Sequence, residues 1–171
     1  MADLPSSGRL TALLKLLVFT LLVPCSVTVW LPYSFYGRRL DWGAAQSGGR
    51  AVGGMLCVLL GAMGYLWCGL DFAFAGRGTP APIDPPKILV ARGLYRFVRN
   101  PMYISVLLVL LGESLVFQSA DLFRYAGVVG VGFFFFVLLY EEPALRSKFG
   151  PSYRQYCEEV PRWIPRMPRK N

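Results

Sequence analysis

The sequence predicts an all-α integral membrane protein with about four transmembrane helices and a short C-terminal cytosolic helical segment. Of its 171 residues, 54% are apolar, and the mean hydropathy of +0.44 is high for a soluble domain. The apolar residues are grouped in long blocks, without the two-residue alternation of an outer-membrane barrel strand. The charged residues lie mostly between and after these blocks, as expected where helices leave a bilayer.

Four apolar blocks are candidate spans. Residues 10–31, 53–72 and 122–140 are each long enough to cross roughly 30 Å of hydrocarbon, whereas residues 101–117 are at the short limit. A cleaved signal peptide is the competing interpretation of the first block. That block is long for a signal sequence, and no clear Ala-x-Ala site follows it, so we expect a retained first helix.

The distribution of basic residues predicts the orientation. Five basic residues lie between the second and third blocks and seven follow Tyr140, whereas the connection from the third block to the fourth holds only Arg124, at the start of the fourth block. The first loop holds Arg38, Arg39 and Arg50, so the bias is imperfect. The positive-inside rule therefore predicts that both termini are cytoplasmic. The net charge of +8 favours contact with anionic membrane lipids over nucleic acid, since no nucleic-acid motif is present. The chain has no His and no Cys-x-x-Cys pair, so we expect no metal site.

The segment that precedes the third block is the most informative part of the sequence. Pro101 suits the first position of a helix, and Gly93 suits a turn that other residues resist. This arrangement brings cationic and hydrogen-bonding side chains to the membrane–water boundary: Tyr95, Arg96, Arg99, Asn100 and Tyr103. Such a cluster suits the polar end of a charged cofactor.

A second polar group follows the fourth block. Its members are Glu141, Glu142, Tyr153, Tyr156 and Arg162. Taken singly, the acidic residues suit pairing with nearby arginines, and the tyrosines suit the interfacial aromatic belt. Two further carboxylates, Asp71 and Glu113, lie within apolar blocks, and the sequence leaves their roles open.

Together these two groups resemble the membrane methyltransferases of the isoprenylcysteine carboxyl methyltransferase and phospholipid N-methyltransferase superfamily. The resemblance rests on the 93–103 pattern, the Glu141–Glu142 pair, the Phe149–Gly150-x-x-Tyr153-x-x-Tyr156 pattern and the Pro-rich end at 161–165. It implies S-adenosylmethionine as methyl donor, a pocket facing the cytosol under the C-terminal segment, and a lipophilic acceptor that enters from the bilayer. It also divides the chain into a transmembrane hairpin, residues 1–75, and a cofactor-binding methyltransferase core, residues 76–171.

The resemblance and the chemistry of the side chains suggest individual roles. Arg99, Glu142 and Tyr103 are the expected catalytic residues, with Arg99 pairing the cofactor carboxylate. The expected cofactor-binding set adds residues for the methionine end, the ammonium and ribose, and the adenine, and residues of the C-terminal tail that close the site. The added residues are Leu89, Val90, Gly93, Tyr95, Asn100, Glu141, Tyr153, Tyr156 and Arg162. Methyl transfer from an activated donor depends largely on positioning and needs no nucleophile from the protein.

Three questions stay open at the level of sequence. Isoprenylcysteine enzymes usually have His where this chain has Asn100, which cannot titrate near neutrality. The acceptor is therefore unresolved among an isoprenylated or other lipidic thiol-acid, an amino phospholipid and a small apolar molecule. The Pro-rich stretch 76–86 suits either a linker or a rigid segment around the site. The alternative to an enzyme is a non-catalytic membrane scaffold or transporter subunit that retains the fold.

Overall fold

The computed structural model describes residues 6–43, 48–76 and 88–167. These described residues form seven α-helices and contain no β-strand: α1 (Ser6–Leu22), α2 (Leu31–Tyr36), α3 (Gly49–Asp71), α4 (Pro101–Val116), α5 (Ala120–Phe136), α6 (Glu142–Phe149) and α7 (Pro151–Glu159). The all-helical prediction is confirmed for this part of the chain. The question of a linker or a rigid segment at 76–86 falls, apart from Gly76, outside the described residues.

Three helical runs are long and apolar enough to cross a membrane: Leu10–Arg39, Gly49–Phe74 and Ala120–Phe149. Each contains one of the predicted blocks and extends beyond it, because short π-helical turns continue the helix where a strict α-helix stops. The remaining predicted span corresponds to α4, which starts at Pro101 as expected and is a shorter apolar helix. The chain is therefore a multi-pass membrane protein, and its count of full spans depends on how α4 sits in the bilayer.

Large apolar side chains are exposed along all three long runs. Leu59, Leu66 and Val128 are each more than half exposed, although they lie in the middle of helices. A soluble protein rarely leaves contiguous apolar surface of this kind open to water. The exposed side chains therefore indicate the faces of α3 and α5 that contact lipid.

The contact between α3 and α4 depends on glycines. A Cβ atom added at Gly54 would lie 2.6 Å from the carbonyl oxygen of Gly112, and one added at Gly61 would lie 2.6 Å from that of Ser105. Small residues let two helix backbones approach closely in a membrane, where apolar side chains alone give little drive for association. At Gly54 and Gly61 the small residues of α3 therefore form its packing surface against α4. The contact fixes the start of α4, and hence Arg99 and Asn100, relative to the end of α3.

We predict that Gly54→Val destabilises the protein by about 1–3 kcal/mol, because the new side chain overpacks against the α4 backbone. Gly53→Val is the matched control, since a Cβ atom at Gly53 has no neighbour within 4 Å. Thermal unfolding of both variants in one detergent measures the difference. Equal midpoints for the two variants would contradict the close crossing of α3 and α4.

Candidate functional site

A single buried carboxylate, that of Glu142, connects three parts of the chain. Its Oε1 atom accepts hydrogen bonds from Arg99 Nη1 at 2.9 Å and from Arg162 Nε at 2.7 Å. Its Oε2 atom accepts one from Arg162 Nη2 at 2.8 Å, so Arg162 binds the carboxylate with two nitrogens. The Glu142 side chain is only 4% exposed and that of Arg99 is 12% exposed. Burial this deep is tolerable for a carboxylate because the charge is paired and hydrogen-bonded. We call Arg99, Glu142 and Arg162 the ion cluster.

The two adjacent glutamates have separate partners. A π-helical turn, Val137–Glu141, lies between α5 and α6, and Glu142 is the first residue of α6. Neighbouring helical residues point about 100° apart, since a turn contains 3.6 residues. Glu142 thus reaches Arg99, whereas Glu141 Oε2 accepts a hydrogen bond of 2.6 Å from the Tyr103 hydroxyl. The Tyr103 ring packs on Phe133, with 4.8 Å between ring centroids.

The chain after α7 forms the cover of the ion cluster. We call residues 160–167 the C-terminal loop. Two backbone hydrogen bonds attach it to the segment before α4: Arg99 N to Pro161 O at 2.9 Å, and Arg166 N to Phe97 O at 3.0 Å. In a third bond, Asn100 Nδ2 donates to the backbone carbonyl of Arg162 at 3.0 Å. The side chain of the same arginine binds Glu142. In this structure, Asn100 therefore attaches the C-terminal loop to the start of α4 by a hydrogen bond.

Arg162 and the tyrosines around the cluster have shifted pKa values. Hydrogen bonding to Glu142 raises the pKa of Arg162, so its positive charge is reinforced. Burial raises the pKa values of Tyr95, Tyr153 and Tyr156 above the ordinary value for a phenol. The three hydroxyls are therefore neutral at physiological pH, and that of Tyr156 donates a hydrogen bond of 2.8 Å to the Tyr95 carbonyl.

A turn with an unusual backbone positions Tyr95. Gly93 has a φ of +56°, in the left-handed region that favours glycine. A Cβ atom at this position would also collide with Asp71 Oδ2 and lie 2.9 Å from Trp67 Nε1. Asp71 is buried, and its Oδ1 atom binds Arg92 Nε at 2.8 Å. The contacts of Asp71, at the end of α3, thus fix the position of this turn, and the turn places Tyr95 at the site.

One cavity of about 790 Å³ adjoins the ion cluster and continues between the first span and α5. Its polar end includes Arg99, Asn100, Tyr103 and both glutamates, and its other end is lined by apolar residues. Ten of the twelve cofactor-site residues expected from sequence line it: Leu89, Val90, Tyr95, Arg99, Asn100, Tyr103, Glu141, Glu142, Tyr153 and Tyr156.

The two remaining residues of that expected set are placed differently. Gly93 packs against Asp71 behind the wall of the cavity, and Arg162 reaches the site only through Glu142. Sequence reasoning missed Lys148 and Phe149, which also line the cavity. The available signal was the pattern Phe149–Gly150-x-x-Tyr153, which contains Phe149 and was used only for the resemblance. It also missed the contribution of the first span, which has no sequence signature.

The chain is similar in sequence to known proteins. Residues 49–152, more than half of the chain, match the sequence profile of the phospholipid methyltransferase family. The chain belongs to that family. The superfamily resemblance drawn from the sequence is confirmed, and the match includes Arg99, Asn100, Tyr103 and both glutamates.

Three curated proteins are similar over parts of their length. Protein-S-isoprenylcysteine O-methyltransferase of Schizosaccharomyces pombe is 38% identical over 84 residues, covering 47% of this chain and 34% of that protein. A cobalt-zinc-cadmium resistance protein of Cupriavidus metallidurans is 29% identical over 114 residues, covering 67% and 48%. A nickel-cobalt-cadmium resistance protein of Alcaligenes xylosoxydans is 27% identical over 116 residues, covering 67% and 49%. The chain thus spans about half or less of the length of these relatives. No solved structure matches the chain.

For this member of the phospholipid methyltransferase family, we predict that Arg162→Gln loosens the C-terminal loop. The substitution removes two charge-assisted hydrogen bonds to Glu142, each worth about 1.5–3 kcal/mol when buried. Hydrogen exchange at the Arg166 amide, which bonds to Phe97, should become faster. Arg154→Gln, at an exposed position of α7, is the control. Unchanged exchange at Arg166 in the Arg162 variant would show that the loop is held without the ion cluster.

Proposed function

We propose that the protein transfers a methyl group from S-adenosylmethionine to a lipophilic acceptor at the cytosolic face of the membrane. The observation that carries the proposal is the shape and chemistry of the cavity beside the ion cluster. It joins the Arg99–Glu142 ion pair to an apolar region between membrane spans. A polar donor and an apolar acceptor can therefore meet inside one cavity. The family match and the similarity to an isoprenylcysteine methyltransferase support this reading.

The residues of the polar end fit the methionine part of S-adenosylmethionine. Arg99 Nε is buried and has no hydrogen-bond partner among the described residues, so this guanidinium keeps a donor for a carboxylate. Both oxygens of Glu142 are already bonded to arginines. We therefore assign the cofactor ammonium or ribose hydroxyls to Glu141 rather than to Glu142. In this assignment Glu142 acts by holding Arg99 and Arg162 in place.

The adenine has a matching environment at the same end. Leu89 and Val90 line the cavity beside Tyr95, whose ring packs edge-on against Phe72 at 5.5 Å between centroids. Val90 and Tyr95 are both buried and belong to one apolar cluster with Cys68. An aromatic and aliphatic surface of this kind suits the flat face of a purine. Tyr153 and Tyr156 would close the site from α7.

The bound cofactor supplies an activated methyl group on its sulfonium, and the protein supplies orientation. Aligning two bound reactants replaces a bimolecular encounter by a nearly unimolecular one, which accounts for much of the rate in reactions of this type. A carboxylate or thiolate acceptor needs little help from a base. An amine or phenol must lose a proton, and the hydrogen-bonded pair Tyr103 and Glu141 is an acid–base group at the polar end of the cavity.

The proposal includes an orientation and a division of the chain. We place the segment before α4, together with α6 and α7, on the cytosolic side, because the basic residues concentrate there. The first unit, residues 1–75, would supply a wall for the acceptor, and residues 76–171 would supply the cofactor site. Anionic lipids of the cytosolic leaflet suit the basic residues of the segment before α4 and of the C-terminal loop.

We predict that titration with S-adenosylhomocysteine gives saturable binding that Arg99→Ala abolishes. The variant loses the guanidinium that pairs the cofactor carboxylate, a charge-assisted bond of the strong bidentate class. Calorimetric titration of the purified protein in detergent is the measurement. Arg124→Gln is the control, because Arg124 pairs with Asp121 at the opposite end of α5. An absence of binding in a folded wild-type sample would instead favour a non-catalytic membrane protein that retains the family fold.

We also predict that Asn100→His retains cofactor binding, whereas Asn100→Leu weakens it by about tenfold. A histidine ring can still donate to the Arg162 carbonyl, whereas leucine leaves that carbonyl without its partner, at a cost of about 1–3 kcal/mol. The same titration, with a thermal unfolding curve for each variant, measures the effect. Equal affinity in both variants would remove Asn100 from the site.

A further inference from the structure

The apolar part of the cavity is a groove with two walls, each a single stripe of a membrane helix. On the first span the wall is formed by residues at intervals of four: Phe19, Val23, Val27 and Leu31. On α5 it is formed by Tyr125, Val129, Gly132, Phe133 and Phe136. Residues three and four apart share one face of a helix, so each wall follows a single face of its helix. None of these nine residues carries a charge. We call this region the apolar groove.

The length of the groove matches a hydrocarbon chain. Tyr125 and Glu141 are sixteen residues apart on one helical run, which corresponds to roughly 22–24 Å at about 1.5 Å per residue. One leaflet of a bilayer has a hydrocarbon thickness of roughly 15 Å. The groove therefore has room for a full-length acyl or prenyl chain that begins beside Tyr103 and Glu141. It also lies within two candidate spans, at the depth where such chains already are.

At the end of the groove farthest from the ion cluster, the Tyr125 side chain reaches from one wall to the other. The Tyr125 hydroxyl donates to the Val27 carbonyl at 2.8 Å. The Tyr125 ring also contacts the Tyr36 ring, with centroids 6.3 Å apart. The Val27 carbonyl lies in the π-helical turn Ser26–Trp30. The Tyr125 side chain therefore blocks a hydrocarbon chain that enters from the polar end, and we call it the floor of the groove.

The α5 wall has a gap half-way along. Gly132 lines the cavity and is exposed, and a Cβ atom there would have no neighbour within 4 Å. Gly127 lies on the same helix, also has open space around it, and does not line the cavity. A side chain at Gly132 would project into the groove region, whereas one at Gly127 would project elsewhere. The two glycines thus form a matched pair for an experiment.

We propose that the apolar groove holds one long, linear hydrocarbon chain of the methyl acceptor, and that Tyr125 sets the greatest chain length accepted. The inference rests on the proposed function for the identity of the occupant. The reacting group of the acceptor then lies beside Tyr103 and Glu141. The groove has one pair of walls and one floor, so it holds a single chain. The second chain of a two-chain lipid remains outside in the bilayer.

The test uses photolabelling, which reports where a chain lies without requiring methyl transfer. The probe is hexadecanol with a diazirine at its terminal carbon, added to the protein in phosphatidylcholine nanodiscs, with labelled residues mapped by mass spectrometry. We expect labelling at Val27 and Tyr125 in the wild type. Gly132→Leu should lower it by about tenfold because the added side chain overpacks the groove, and Gly127→Leu should leave it unchanged. Labelling spread evenly over lipid-facing residues such as Leu59 and Leu66, or equal in the two variants, would overturn the proposal.

The floor has its own test. Tyr125→Ala should raise several-fold the labelling inside the groove by terminal-diazirine docosanol relative to hexadecanol, whereas Tyr125→Phe should leave the ratio close to that of the wild type because the ring remains. An unchanged ratio in the alanine variant would remove Tyr125 as the limit on chain length. S-adenosylhomocysteine affinity is measured on the same samples. If the wild type does not bind S-adenosylhomocysteine, the proposed methyl transfer is refuted. If it binds S-adenosylhomocysteine but the groove is not labelled, only the proposed chain site is refuted.

Discussion

The pairing of Glu142 with Arg99 and Arg162 is the constraint on which the site depends. The charges of Glu142 and Arg99 are largely removed from water at the edge of a membrane protein, and Arg162 is partly exposed. The arrangement is tolerable because each oxygen of the carboxylate has a partner. Arg99 comes from the start of α4, Glu142 from the start of α6, and Arg162 from the C-terminal loop. One carboxylate therefore determines how three segments distant in sequence meet, and the cavity is the space that they enclose.

The close crossing of α3 and α4 makes this arrangement stable. Glycines at positions 54, 61 and 112 allow the two backbones to touch, so the beginning of α4 has a defined place relative to the end of α3. Asp71 at that end of α3 holds the Gly93 turn, and the turn carries Tyr95 into the cavity wall. Packing inside the bilayer and ion pairing at its surface thus act on the same few residues. The helices supply rigidity, and the polar groups at their ends supply chemistry.

Much of this architecture could be predicted from sequence, because each signal was local. Long apolar blocks indicate helices, Pro101 indicates the start of one, and the spacing of polar residues around Arg99 and Glu142 resembles a known pattern. What sequence could not supply was the partner of each side chain. The two glutamates look equivalent in the chain, but the π-helical turn directs them to Tyr103 and to Arg99. The role of the first span was likewise invisible, since a stripe of Phe and Val is the same whether it faces lipid, protein or a groove.

The cavity has one end among charged groups, and its apolar part lies within membrane spans beside the exposed Gly132. The concentrations of its two reactants would therefore be expressed in different units. That of the donor is in moles per litre of cytosol, and that of the acceptor is its mole fraction in the lipid. Saturation by the acceptor would follow its surface density, and adding detergent or inert lipid would dilute it without changing its amount in the tube. An enzyme built in this way responds to the composition of its membrane rather than to the total supply of its substrate.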